Sequence, residues 1–125
     1  MLVDYVVACG CKTLPEAFYL EDAVDALPTP RKTVDVGDWV ALEECEQCGT
    51  LWAIDEWDKY SHQVASRVTN REGWKAASEA QRKALLLSSR GGVAEEPCAW
   101  VDCETNRVQD VAYCVDHLYS TGARK

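Results

Sequence analysis

Seven cysteines and one suitably spaced histidine give this 125-residue chain eight candidate metal ligands, which divide into two sets of four. An odd number of cysteines cannot pair completely into disulfides within one chain. A reducing cytosol, the expected compartment, discourages pairing, and clustered cysteines there more often bind metal. The first set is Cys9-x-Cys11 followed, after 33 intervening residues, by Cys45-x2-Cys48-Gly49. Each short pair can sit on a tight turn that aims two sulfurs at one ion. Gly49 suits such a turn, because glycine tolerates positive φ. The second set is Cys98-x4-Cys103-x10-Cys114-x2-His117. His117 follows Cys114 by three residues, about one helical turn, so both side chains can face the same ion. The bland alternative, buried or redox thiols and a surface histidine, leaves the cysteines without a common purpose. Four cysteines, or three cysteines and a histidine, make closed tetrahedral zinc shells, and the expected cofactor is two structural zinc ions. The spacing leaves sequential and cross-braced ligation both open.

The rest of the chain reads as α+β. Val3–Ala8 is rich in β-branched residues and predicts a strand running into the first cysteines. Pro15 can open a short helix to about Leu20. Two prolines in Leu27-Pro28-Thr29-Pro30 require a loop. Val34–Leu42 and Leu51–Trp57 read as strands flanking Cys45 and Cys48, with a third from about Gln63 to Val68. A helix is expected from about Arg71 to Ser89, capped by Thr69 or Asn70 and stopped by Gly91-Gly92. Trp74, Ala77, Ala80, Ala84 and Leu87 recur at helical spacing and mark its expected core face. The expectation is a single small zinc-stabilised domain over 1–125. It has a zinc-ribbon β-hairpin lobe in 1–69, then one main helix and a C-terminal Cys3His zinc lobe in 70–125.

Charge narrows the function. The formal net charge is −8 with every thiol counted neutral; a filled four-cysteine site adds −2 and a filled three-cysteine, one-histidine site −1, which takes it to −11. Residues 1–60 hold 13 acids and 4 bases, whereas residues 61–125 hold 8 acids and 9 bases. Such a balance opposes a nucleic-acid partner. A nucleic-acid-associated zinc ribbon of the transcription or translation machinery, the alternative function, would need a basic stripe. The segment with Arg67, Arg71, Lys75, Arg82, Lys83 and Arg90 lies in a half that is only near neutral. An enzyme is disfavoured, because a catalytic zinc keeps one position open and both ligand sets are complete. His62, the other histidine, reads as solvated or locally hydrogen-bonded, with no chemistry. No apolar run approaches the roughly 20 residues of a membrane helix. Met1-Leu2-Val3-Asp4 lacks a basic n-region, so a cytoplasmic location is expected.

Acids and tryptophans coincide in residues 35–58. The candidate partner-binding residues there are Asp38, Trp39, Glu43, Glu44, Trp52, Asp55, Glu56 and Trp57. Charge would steer a basic protein and aromatics would anchor it. The competing reading puts the tryptophans in the core and leaves the acids as a solvated face.

Two stretches carry a resemblance and together cover about half the chain. Cys98-Ala-Trp-Val-Asp-Cys103, with Tyr113-Cys114-Val-Asp-His117, resembles a small zinc motif at the end of many short bacterial proteins. Trp39-Val-Ala-Leu-Glu-Glu-Cys45-Glu-Gln-Cys48-Gly-Thr-Leu-Trp52 resembles a zinc-ribbon knuckle of small bacterial proteins, some of which look like immunity proteins encoded beside polymorphic toxins. The resemblance implies a non-catalytic, acidic, cytosolic inhibitor that blocks a cognate toxin domain by direct binding. It carries over no toxin-contacting residue.

Overall fold

The computed structural model describes residues 9–22, 27, 30–56 and 62–125. The expected strand over Val3–Ala8, Trp57, and Pro28 and Thr29 of the expected loop lie outside them. The described chain is α+β. It builds five strands, a long helix, two more strands and a short helix. In chain order these are β1 (Ala17–Tyr19), β2 (Arg31–Gly37), β3 (Val40–Cys45), β4 (Leu51–Asp55), β5 (Val64–Val68), α1 (Trp74–Ser89), β6 (Val93–Pro97), β7 (Asn106–Val108) and α2 (Val115–Ser120). The first five form an antiparallel sheet in the order β1-β5-β4-β3-β2, and β6 and β7 form a separate two-stranded ribbon. Among the described residues no helix is long and apolar enough to cross a membrane.

Strand alternation gives the sheet two unlike faces. On one face Phe18, Trp52 and Ala65 pack with the sulfurs of Cys11 and Cys45, with Leu14, Leu20 and Leu27 at the margin. On the other, Leu42, Leu51, Ala53 and Val68 pack against Trp74 of α1. A smaller core joins Leu86 of α1, Val108 of β7 and Leu118 of α2. The helix α1 thus packs against both the sheet and α2.

Several local expectations are corrected. Ala17–Tyr19 is a strand, not part of a helix opened by Pro15; Phe18 and Tyr19 pair with Ala65 and Val64 of β5, and this non-local ladder overrides the local signal. Val34–Leu42 is not one strand. The chain reverses at Asp38-Trp39, so that Gly37 pairs with Val40 and the stretch divides between β2 and β3. Helix α1 begins at Trp74, after Gly73 at φ 72°, without a side-chain cap from Thr69 or Asn70. The Trp74 indole N–H instead donates to Asp35 Oδ2 at 2.8 Å and ties the start of the helix to β2. The inward face is Trp74, Ser78, Arg82 and Leu86; Ala77, Ala80 and Ala84 are exposed and Leu87 is half-buried. Two of the four inward positions are polar because the sheet answers them. Ser78 Oγ lies 3.0 Å from Ser66 Oγ, and Arg82 pairs with Asp55. The helix does end at Ser89, with Arg90 as its C-cap ahead of Gly91-Gly92 and Gly92 N–H donating to the Leu87 carbonyl.

Candidate metal centres

The eight ligands expected from the sequence converge in two groups, drawn sequentially and not cross-braced. Cys9, Cys11, Cys45 and Cys48 bring their Sγ atoms within 4.8 Å of one another; the Sγ atoms of Cys98, Cys103 and Cys114 and a ring nitrogen of His117 do the same. Tetrahedral zinc requires sulfurs about 3.8 Å apart and sulfur–nitrogen separations of about 3.5 Å, given its bond lengths. Cys103 and Cys114 Sγ are 3.9 Å apart. His117 Nδ1 lies 3.4 Å from Cys98 Sγ and 3.3 Å from Cys114 Sγ. In the first group Cys9 and Cys48 Sγ are 3.4 Å apart. Both groups could hold a metal ion, and their spacing fits the zinc geometry.

Local backbone builds each group. At the first, Gly10 at φ 79° reverses the chain between Cys9 and Cys11, and Thr13 N–H closes the turn onto the Gly10 carbonyl. Cys45 ends β3, and Gly49 at φ 80° turns the chain so that its N–H reaches the Cys45 carbonyl at 2.9 Å. Neither backbone conformation suits a residue with a Cβ. At the second, Cys98 follows β6, Cys103 follows Asp102 at φ 63°, and Cys114 is the N-cap residue of α2 with His117 in its first turn.

The surroundings bear on the charge state. Burial pushes the Cys11 thiol up to about 12, although the Trp52 indole N–H, 3.5 Å from its sulfur, opposes this. Burial also raises Cys48, but the Thr50 hydroxyl and amide, with Cys9 and Cys11, outweigh it and bring the thiol down to about 6. Cys98 likewise falls to about 6: the backbone amides of Cys114 and Trp100, then His117 and Cys103, overcome burial. Cys114 is pushed up by burial. Each group therefore mixes thiols that ionise readily with thiols that resist it. A divalent cation would let all of them be thiolates at once. The Trp100 ring stacks on His117 at 4.5 Å with planes 10° apart, while remaining half-exposed. That contact fixes the imidazole plane, and spacing alone did not reveal it.

The expected partner face divides. Trp52 is wholly buried and Asp55 is 3% exposed, so neither can belong to an external contact surface. Trp52 fills the core beside Cys11. Asp55 accepts the Val64 N–H at 2.9 Å and lies 3.0 Å from Arg82 Nε. Glu43 pairs with Arg31 at 2.5 Å, and Glu44 lies between Lys32 at 3.4 Å and Arg71 at 3.9 Å. Both are half-buried and answered by cations across the β2–β3 ladder and at the start of α1. Asp38, Trp39 and Glu56 remain exposed at the hairpin tip, where Glu56 N–H donates to the Trp39 carbonyl. Trp39 is 41% exposed and sits at φ 62°. His62 lies 3.6 Å from Glu21 and edge-on to Tyr19, away from both metal groups.

Fold and site together define a small α+β protein with two cysteine-rich centres that could each hold a metal ion. Compared with known proteins, the chain matches no family model, no curated protein and no solved structure.

Proposed function

We propose that the protein holds two structural zinc ions, the first in a zinc-ribbon knuckle, and acts as a non-catalytic protein-binding inhibitor of the immunity-protein kind that neutralises a cognate toxin domain in the cytoplasm. The observation that carries the protein-binding reading is Trp39. A large aromatic at positive φ is costly, and hairpin turns with that conformation favour glycine or asparagine. Retaining a 41%-exposed tryptophan there, between exposed Asp38 and Glu56, supports a role in contact. Four protein donors at each centre complete a tetrahedral shell and leave no position for a substrate or water, which supports a structural role for the metal.

The test has two parts. Elemental analysis of protein purified without added metal should give about two zinc ions per chain, as two complete four-donor sets require; folded protein with almost none would refute the metal reading. Association kinetics with the product of the neighbouring toxin gene should show an on-rate that falls with salt and with neutralisation of Asp38 and Glu56. Trp39→Ala should raise the off-rate. An unchanged rate in both variants would refute the contact assignment.

A further inference from the structure

A cleft separates the tip of the β2–β3 hairpin from the helices. It measures about 550 Å³ and is walled by Val36 and Val40 of the hairpin, Lys75 and Arg82 of α1, and Tyr119 and Arg124 from α2 and the segment after it. A second cavity of about 560 Å³ shares Tyr119, Arg124 and Glu79 with it. Volumes of this size admit a small organic ligand.

The polar groups of the cleft are unusual for a structural gap. Arg82 and Arg124 are each 4% exposed. Asp55 engages Arg82 at Nε, and its other oxygen is taken by the Val64 amide. Arg82 Nη2 is buried with no hydrogen-bond partner among the described residues. A buried cationic donor without an acceptor is costly. Glu79, the acid of α1 that lines the cleft, is drawn off by Lys83 at 3.0 Å. The Arg124 guanidinium stacks 3.8 Å over the Tyr119 ring and donates from Nη1 to the carbonyls of Tyr119 and Ala123. Lys75 crosses Gly37 at the mouth: a Cβ on Gly37 would stand 3.1 Å from Lys75 Cε. The cleft thus combines three cations, one with unused donors, with three acids, of which Asp55 and Glu79 are engaged and Asp38 is exposed at the rim, and an apolar wall of two valines and a tyrosine ring.

We propose that this cleft binds a small organic anion, a carboxylate or a phosphate monoester, with its charged head toward Arg82, Lys75 and Arg124 and its body against Val36, Val40 and Tyr119. Guanidinium groups match the oxygens of either head in a planar fork. A rotation of the Arg82 guanidinium toward the cleft would let a bound oxygen supply the acceptor that the buried Nη2 lacks.

The test is calorimetric titration of the full, zinc-loaded chain with phenyl phosphate, benzoate and, as the uncharged control, phenol. At least one anion should bind saturably and phenol should not. Which anion binds tells the phosphate source from the carboxylate source. Lys75 is exposed, so Lys75→Glu should leave the melting temperature unchanged while weakening binding by about tenfold or more, the worth of one charge-assisted contact. Arg82→Lys, which keeps charge but loses the fork, should weaken it further where it folds. Absence of saturable binding by both anions, equal binding of phenol, or parental affinity in Lys75→Glu would overturn the proposal.

Discussion

The Asp55–Arg82 pair offers the sharpest test of how the helix is fixed to the sheet. Its charged atoms are 3.0 Å apart and both side chains are almost wholly buried. At an effective dielectric of about 20, that separation is worth about 5–6 kcal/mol of attraction. Desolvation offsets it by several kcal/mol per ion. Arg82 Nη2 also lacks a hydrogen-bond partner among the described residues, so its desolvation is only partly repaid. Burial accordingly raises the Asp55 carboxyl above its ordinary value, against the pull of Arg82 and the Val64 amide. The folded state therefore holds that proton more tightly than the unfolded state. Through this group, stability declines as pH rises from the unfolded carboxyl value through the folded one. Asp55→Asn, which keeps an acceptor for Val64 N–H, leaves a buried guanidinium unpaired and should cost about 3–5 kcal/mol. Arg82→Met leaves a buried carboxylate and should cost a similar amount at pH 7, shrinking in acid as the carboxyl protonates. The double variant removes both charges, and its cost should fall below the sum of the single costs by about 3 kcal/mol or more. Urea denaturation of all four proteins, at one fixed zinc concentration because bound metal adds its own stabilisation, measures the cycle. Additive costs, or single variants within about 1 kcal/mol of the parent, would refute the coupling.

Three further outcomes are expected. Trp74→Phe removes the hydrogen bond that, ahead of the Val36 amide, holds the Asp35 carboxyl below its usual range. That bond stabilises above the unfolded carboxyl value and is lost as pH falls through the folded one, so the parent's melting temperature should drop more steeply in acid than the variant's; parallel profiles would refute it. Ala80→Asp should lie within about 0.5 kcal/mol of the parent because Ala80 is exposed, whereas Ser78→Asp on the buried face should cost roughly 3 kcal/mol or more; equal denaturant midpoints would show that the helix faces are misassigned. Cys48→Ser and Cys114→Ser should each reduce metal content by one ion per chain and lower the melting temperature; a variant retaining both ions would remove that cysteine from its shell.

The two groups of candidate ligands were legible because metal chemistry is local in type and spacing. Cys45-x2-Cys48-Gly49 and Cys114-x2-His117 each place two donors within one turn. Strands β4 and β5 and the existence and end of α1 were legible for similar reasons, since each coincides with a continuous local pattern. The turn at Asp38-Trp39 was not, because tryptophan gives no turn signal and its positive φ is imposed by the pairing of Gly37 with Val40. β1 depends on distant β5, β6 carries two glutamates and a proline in place of an apolar alternation, and β7 has only three residues. The helix face was misjudged because apolar periodicity cannot recognise Ser78 and Arg82 as inward residues when Ser66 and Asp55, on other elements, make their burial tolerable. The same blindness made Asp55 look like part of an acidic surface and concealed the cleft beside Arg82.

The two metal groups do unlike work in this architecture. Cys11 and Cys45 belong to the same packed layer as Phe18, Trp52 and Ala65, so the first centre occupies the place where apolar side chains would otherwise cover one face of the sheet. Without a cation, that layer must hold either protonated thiols or mutually repelling thiolates, and the burial that pushes Cys11 up to about 12 favours the former. A bound metal and the core would thus form one cooperative unit there. The second centre stands beside its core. Cys114 is the N-cap residue of α2, and Leu118, one turn on, packs against Leu86 and Val108. The next residue, Tyr119, supplies the ring on which Arg124 lies, and both line the cleft. Closing the second shell around a metal would therefore fix the start of the helix that carries one wall of that cleft, whereas closing the first would complete the sheet that carries the opposite wall. A chain of 125 residues that filled both shells with these eight side chains would gain from each both a staple and the placement of a surface.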